Sequence, residues 1–437
     1  MVTRRSREAL CAAALLATAC CFDGPYRFAV ALPLVVICLV VSSLALTRAD
    51  REAATPFPPA LWMLLGSVAA LGIAMPGNIG PLWLEIVRRA FGAVGVVAIA
   101  AVAGHNGTWR RRALLVSTVG ATMLAFIVPA ATPNPQIDVV PWTDTAVRAF
   151  LHGVHPYTVQ APDVYRGGAD FGFVVRVYPY MPATVLAFAP FVAIAGDFRY
   201  ALAASVPATI WLVRRAGTRS GTDPHLLDAA TLMVALHPTL PIVMRSGWAE
   251  PLLCVVSAGV AVALVEGRSR LAAVGTFLLP ALKQYAIAPV LLWAAGPGRR
   301  VRPLVWAVAA ACAALTVLPF LAWNAPATLD GMLFQMRAPV RPRLTSISIP
   351  GLLANYSSSN LPVWVSAATQ LVVSGALAAS GVAATVSGLF AGSAVALLAT
   401  FLLGWQGFVN YYIWIGTLLV LAAVTDGPGP AAGRSTR

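Results

Sequence analysis

Long apolar runs separated by short, arginine-rich polar clusters organise this chain from end to end. Runs such as "FAVALPLVVICLVVSSLAL" and "ALLVSTVGATMLAFIVPAA" approach the roughly 20 residues that a helix needs to cross a bilayer. The pattern predicts an all-α polytopic membrane protein with about 11 transmembrane helices, among them spans near 60–75, 86–104, 113–131, 226–244 and 303–321. Two stretches depart from simple crossing. "VYPYMPATVLAFAPFVAIAG" carries three prolines, and a crossing there as well as at "RYALAASVPATIWLV" strands Arg214, Arg215 and Arg219 outside. Residues 179–196 are therefore expected on the outer interface or in a re-entrant dip, with 199–213 crossing. "LAAVGTFLLPALKQYAIAPVLLWAAG" is flanked by Arg268 and Arg270 on one side and by Arg299, Arg300 and Arg302 on the other. A re-entrant hairpin of two short helices, turning near Lys283 and Gln284, keeps both clusters on the same face.

Positive charge sets the orientation. Arg4, Arg5 and Arg7 place the N-terminus in the cytoplasm, the arginines at 110–112 return there, and Arg434 and Arg437 do the same for the C-terminus. The polar segment 132–177 then faces outward. Composition agrees with the membrane class: 59% of residues are hydrophobic and 11% charged, against roughly 25% charged in soluble proteins. A net charge of +14 suggests nucleic acid in a soluble protein, but here topology accounts for most of the arginines, so no nucleic-acid partner is expected. Cys11, Cys20, Cys21, Cys38, Cys254 and Cys312 fall in or beside apolar segments with no CxxC pair, as small core residues do. The basic and apolar N-terminal stretch reads as an uncleaved first span.

Polar chemistry concentrates on the outer side. "IDVVPWTDTAVRAFLHGVHPY" at 137–157, "VRVYPYMP", the "MRSGWAEP" turn, the tip "LKQYA", the loop "NAPATLDGMLFQMRAPVRPRLTSISIPGLL" and the last turn "GWQGFVNYY" all reach it. Acids, cations and aromatic rings together suit a sugar and a lipid-borne phosphate, because sugars stack on rings and an anionic leaving group needs Arg or Lys.

The order "D…GVHPY", "YPYMP", "GDFRYA" resembles the first external loop of the GT-C membrane glycosyltransferases. It is most similar to glycosyltransferase family 87 and related polyprenyl-phosphate-mannose-dependent mannosyltransferases; "ALKQY" and "FVNYY" are similar to later external turns of that family. The likeness spans roughly 113–424, with Tyr178-Pro179-Tyr180 where the family has Tyr-Pro-Pro, and Gly247-Trp248-Ala249-Glu250 where its turn often carries Gly-Gln. It implies a catalytic core at 105–424 with external loops 132–198 and 322–361, additional N-terminal hairpins at 1–104, and a cytoplasmic tail at 425–437.

The resemblance places the catalytic base at Asp138; the structural alternative is a helix cap before "VPWTDTAVRAFL". Asp144 competes for the role, but it stands four residues before Arg148, which a simple ion pair on a helix of about 141–152 explains. Trp142, Val147, Phe150 and Leu151 then rest on the membrane interface. His155 and Tyr157, with Tyr178 and Tyr180, form either a sugar platform or a Pro156 turn. Glu250 binds substrate or favours a helix dipole. Lys283, the sole lysine, is an ionisable group inside an apolar run and hence functional by default, with Gln284 beside it; its expected role is to hold the polyprenyl phosphate. Arg245, Arg337, Arg341 and Arg343 bind phosphate, or are solvated or lipid-facing charges. Asn410 and Tyr411 line the site, or join Tyr412 in an interfacial belt.

The expected activity is inverting transfer of a hexose, mannose by the resemblance, from a polyprenyl-phosphate donor to a cell-envelope glycan or glycolipid at the outer face of a bacterial plasma membrane. No metal and no cofactor are expected, the family being metal-independent, although His152, His155 and Asp138 are conceivable ligands. The alternatives are a transporter or flippase for lipid-linked sugars, which needs the same cations and rings but no base, and a non-catalytic assembly subunit.

Overall fold

The computed structural model describes residues 2–22, 27–47, 55–74, 80–104, 107–164, 177–337, 344–357, 361–362 and 364–427. Their regular structure is helical apart from one isolated bridge between Val2 and Thr55. The helices are α1 (Arg4–Cys20), α2 (Leu32–Thr47), α3 (Pro59–Ala74), α4 (Leu82–Gly104), α5 (Thr108–Ala131) and α6 (Val139–Leu151). Next come α7 (Pro182–Ala195), α8 (Arg199–Ser220), α9 (Pro224–Ala235), α10 (Leu240–Ser246), α11 (Glu250–Val265) and α12 (Ser269–Leu282). The chain ends with α13 (Ala288–Ala295), α14 (Pro303–Arg337), α15 (Ile349–Tyr356), α16 (Trp364–Ala379), α17 (Val386–Leu402) and α18 (Val409–Val424).

Among the described residues, five helical segments are long and apolar enough to cross a membrane: Arg27–Leu46, Leu82–Gly104, Thr108–Ala131, Pro224–Ser246 and Pro303–Leu333. Six shorter apolar helices, α3, α11, α12, α16, α17 and α18, accompany them. The chain is thus a helical membrane protein by length and composition. Burial divides the bundle. Every residue of α18 is buried, and α18 packs on α1, α17 and α11. The first two helices share in this centre, α1 against α18 and α2 against α17. By contrast the Pro303–Leu333 span is only 11% buried and shows Leu304, Leu315 and Leu318 on its surface. An apolar surface of that kind is what a lipid-facing helix presents.

Ion pairs sort the two ends of the bundle. At the end where α5 begins and α8 finishes, Asp228 takes both Arg110 and Arg214, and Glu266 takes Arg215, Arg219 and Arg268. These five arginines are ones that charge assigned to one side. At the opposite end of α5 and α8, Arg199, 1% exposed, is consumed by backbone. Its guanidinium donates to the carbonyls of Pro129 (3.1 Å), Thr132 (2.9 Å) and Arg245 (3.2 Å) and pairs with Asp197 at 2.6 Å. This satisfies the carbonyls left over where α5 and α10 end and fixes where the chain departs toward α6.

Local chemistry explains the breaks. α7 and α8 stand 107° apart. Gly196 ends α7 in the left-handed region (φ 76°), and Asp197 then accepts from the Arg199 amide. The 226–244 stretch, expected as one run of helix, breaks between α9 and α10 at His237-Pro238-Thr239, since Pro238 cannot donate to the helix. Residues 322–337 continue α14 past a kink at Asn324, whose side chain accepts from the Ala327 amide and restarts the helix ahead of Pro326.

The hairpin at Lys283 is present as a chain reversal. Phe277 of α12 meets Trp293 of α13 with ring centroids 6.2 Å apart, and both rings touch Trp306 at the start of α14. A straight continuation puts residues sixteen apart in sequence on the order of 24 Å from each other. Lys283 itself, with extended backbone (φ −145°, ψ 120°), ends α12 and forms the tip.

Because Arg199 answers several carbonyls and Asp197 in a buried position, Arg199→Leu is expected to destabilise the protein by on the order of 3 kcal/mol. Thermal unfolding in detergent checks this: a melting temperature several degrees lower is expected, whereas an unchanged one contradicts the clamp.

Candidate functional site

Asp138 sits at the N-cap position of α6 with helical backbone, yet its side chain makes no capping hydrogen bond to the first turn. It is buried. The cap alternative for Asp138 therefore fails. Burial first, and then nearby negative charge that includes Asp138, hold the Tyr180 hydroxyl well above the usual tyrosine pKa.

Asp144 has the simpler environment. Its carboxylate pairs with Arg148 at 2.8 Å, with side chains 35% and 49% exposed, and Arg148 also donates to the Gly196 carbonyl at 2.7 Å. An i,i+4 pair this open contributes a few tenths of a kcal/mol. The structure does not bring Asp144 to the buried cluster through any described contact. The rest of α6 differs from the interfacial helix expected. Trp142 and Val147 are buried within the protein because α7 packs over this face, and Leu151 remains exposed.

His155 is a latch. Its Nε2 donates to the Phe320 carbonyl at 3.2 Å, Nδ1 accepts the Tyr157 amide, and its ring stands edge-on to Trp323 at 4.9 Å. Thr328 closes the arrangement, 3.2 Å from His155 Nε2. The loop after α6 is thereby tied to the kink of α14. Tyr157 and Tyr178 are likewise committed: the Tyr157 hydroxyl donates to the Tyr180 carbonyl at 2.5 Å, and the Tyr178 hydroxyl bonds Thr184. Burial raises the pKa of both phenols. Three of the four residues expected as a sugar platform thus have their polar groups committed within the protein, around Tyr180.

Lys283 closes the cluster. Its ammonium lies 4.1 Å from the centroid of the Tyr180 ring and 5.8 Å from that of Tyr285, and 3.4 Å from Oε1 of Glu250. Glu250, the first residue of α11, is 0% exposed. It also accepts from the Tyr285 hydroxyl at 2.7 Å, while Oε2 has no hydrogen-bond partner. A buried ion pair stiffened by a tyrosine and faced by π clouds fits cation chemistry better than a dipole effect at a helix terminus.

Tyr285 was not singled out from sequence, though it shares the "LKQYA" tip. Gln370 donates to its carbonyl at 2.6 Å, and its ring meets Phe401, Tyr411 and Trp414 at 5.2, 5.1 and 5.9 Å. Tyr411 thus joins the cluster, stacked on Phe401 at 4.4 Å. Asn410 and Gln284 each carry a buried carbonyl oxygen without a partner. Tyr412 is not part of an interfacial belt: it is fully buried, its hydroxyl donating to Ile347. Arg245 gives its carbonyl to Arg199, and its guanidinium makes no ion pair among the described residues. Arg337 is the last residue of α14, and Arg341 and Arg343 lie outside the described residues. No group of three His, Cys, Asp or Glu side chains suited to a metal forms among the described residues.

The Lys283–Glu250 pair predicts a non-additive pattern of stability. Lys283→Met leaves a buried carboxylate alone and is expected to cost about 3–5 kcal/mol. Adding Glu250→Leu should recover most of that loss in a double-mutant cycle read by unfolding. Simple addition of the two single losses contradicts the pairing.

The chain matches no protein-family model, no curated protein and no solved structure.

Proposed function

We propose that this protein is a polytopic membrane glycosyltransferase of the GT-C kind. It moves a hexose, mannose by its likeness to family 87, from a polyprenyl-phosphate donor to a glycan or glycolipid acceptor on the outer face of a bacterial plasma membrane. The observation that carries the proposal is the buried Lys283 ammonium, 4.1 Å from the Tyr180 ring centroid and 3.4 Å from Glu250, in a chain whose Asp138 is buried at the start of α6 without capping it. In the proposal Asp138 serves attack on one side of a sugar and Lys283 the departure of phosphate on the other.

In the proposed reaction the acceptor hydroxyl oxygen bonds to the anomeric carbon while the bond from that carbon to the phosphate oxygen breaks. Asp138 takes the hydroxyl proton, and the phosphate leaves as an anion beside Lys283. Direct displacement inverts the anomeric centre. General-base assistance of this type contributes roughly 100 to 10,000-fold. Charge sorting supports the orientation: the arginines of the Asp228 and Glu266 networks gather at the end of the bundle away from Arg199. In this reading the shorter apolar helices complete about 11 crossings, and the α12–α13 hairpin dips in and returns.

Membranes holding Asp138→Asn at normal protein levels should lose transfer of labelled mannose from polyprenyl-phosphate mannose by about 100-fold or more, while Asp144→Asn retains most of it. Undiminished transfer in Asp138→Asn removes the base. Sugar translocation without transfer in the wild type, indifferent to Asp138→Asn, moves the protein to the transporter class.

A further inference from the structure

An anionic ligand at Lys283 meets a carboxylate already in place. Among the described residues, Lys283 faces the Tyr180 ring and Glu250. The ammonium is already partnered by Glu250 at 3.4 Å, and both side chains are buried. A phosphate that takes Lys283 therefore meets a carboxylate on the same cation. In surroundings of low dielectric, two anions sharing one cation repel strongly, and one of them takes up a proton. A phosphodiester is a much stronger acid than a carboxylic acid, so the proton goes to Glu250.

The groups around Glu250 admit a neutral acid. Tyr285 donates to Oε1 and continues to do so when the carboxyl is protonated. Oε2 is buried and has no hydrogen-bond partner, so a proton there displaces no existing bond. Among the described residues, Tyr180 and Cys254 also feel the charge of Glu250, one from the segment before α7 and one from α11 itself. Tyr411, from α18, packs against the Tyr285 ring at 5.1 Å. None of these supplies a second cation.

We propose that Glu250 is a built-in counter-anion for Lys283 that is exchanged for the phosphate of the bound lipid, taking up one proton from solvent as it releases the lysine. This rests on the proposed use of a polyprenyl-phosphate sugar. Before binding, the pair is ammonium and carboxylate; after binding, it is ammonium and phosphodiester anion beside a neutral carboxylic acid. Glu250 is thus a positioning residue: it holds Lys283 in place while the site is empty and limits the site to ligands able to displace a carboxylate.

The sign of the linkage follows. Binding that takes up a proton weakens as pH rises, by up to tenfold per pH unit.

Calorimetric titration of the purified full chain with polyprenyl-phosphate mannose, in buffers of different ionisation enthalpy, counts the protons. This phosphodiester keeps a single charge between pH 5 and about 9, so the lipid contributes no titration of its own. Wild type and Asp138→Asn should each take up about one proton per lipid bound, and Glu250→Gln none, with affinity independent of pH. No uptake by the wild type, or equal uptake by Glu250→Gln, overturns the exchange while leaving the donor intact. Uptake lost in Asp138→Asn instead assigns the proton to Asp138 and overturns it as well. Absence of binding by the wild type overturns both the exchange and the proposed donor. Should Glu250→Gln fail to fold, the infrared carbonyl band of a protonated carboxylic acid, appearing in Asp138→Asn on lipid binding, supports the exchange, and its absence overturns it.

Discussion

A buried ammonium needs an anion, and in this bundle the sole lysine finds one 33 positions earlier in the chain, on Glu250. Breaking such a pair costs several kcal/mol because the surviving charge has no water to turn to. That constraint dictates much of the surrounding architecture. The chain must reverse at Lys283 so that the tip of the α12–α13 hairpin meets the start of α11, and the Phe277, Trp293 and Trp306 rings lock the reversal further along its arms. Tyr285 and Tyr180 then enclose the pair with a hydroxyl and ring faces.

The rest of the site is held by backbone carbonyls more than by side-chain pairs. Arg199 gathers the ends of α5 and α10 and the Asp197 turn into a single junction, from which the chain runs to Asp138 and, separately, to Glu250. His155 does the same at α14, reaching the carbonyl of Phe320. Both are polar groups placed deep in apolar surroundings, where a satisfied hydrogen bond fixes geometry and an unsatisfied one is costly. The outcome is a rigid frame around one ion pair whose carboxylate retains an unused oxygen.

Much of this was readable along the chain where the determinants are local. The i,i+4 spacing of Asp144 and Arg148 announced a surface pair and left Asp138 as the acid to watch. Arginines on both flanks of "LAAVGTFLLPALKQYAIAPVLLWAAG" required the chain to double back. Determinants that depend on packing were hidden. Nothing in the sequence ties Tyr285 to Glu250, 35 residues away, or His155 to Phe320, 165 residues away. The α6 helix looked amphipathic enough for an interface, but α7 covers the face that holds Trp142. Arg199 was visible only as part of "GDFRYA", with no hint that, besides pairing with Asp197, it donates to three carbonyls.

The central claim is that Lys283, between Tyr180 and Glu250, receives the phosphate of a lipid-linked sugar. A cryo-electron microscopy structure of the protein with polyprenyl-phosphate mannose locates that phosphate directly. The account predicts phosphate density about 3 Å from Lys283 Nζ, with the sugar toward Asp138 and Glu250 withdrawn from the lysine. Phosphate density away from Lys283, with the Lys283–Glu250 contact intact, contradicts it.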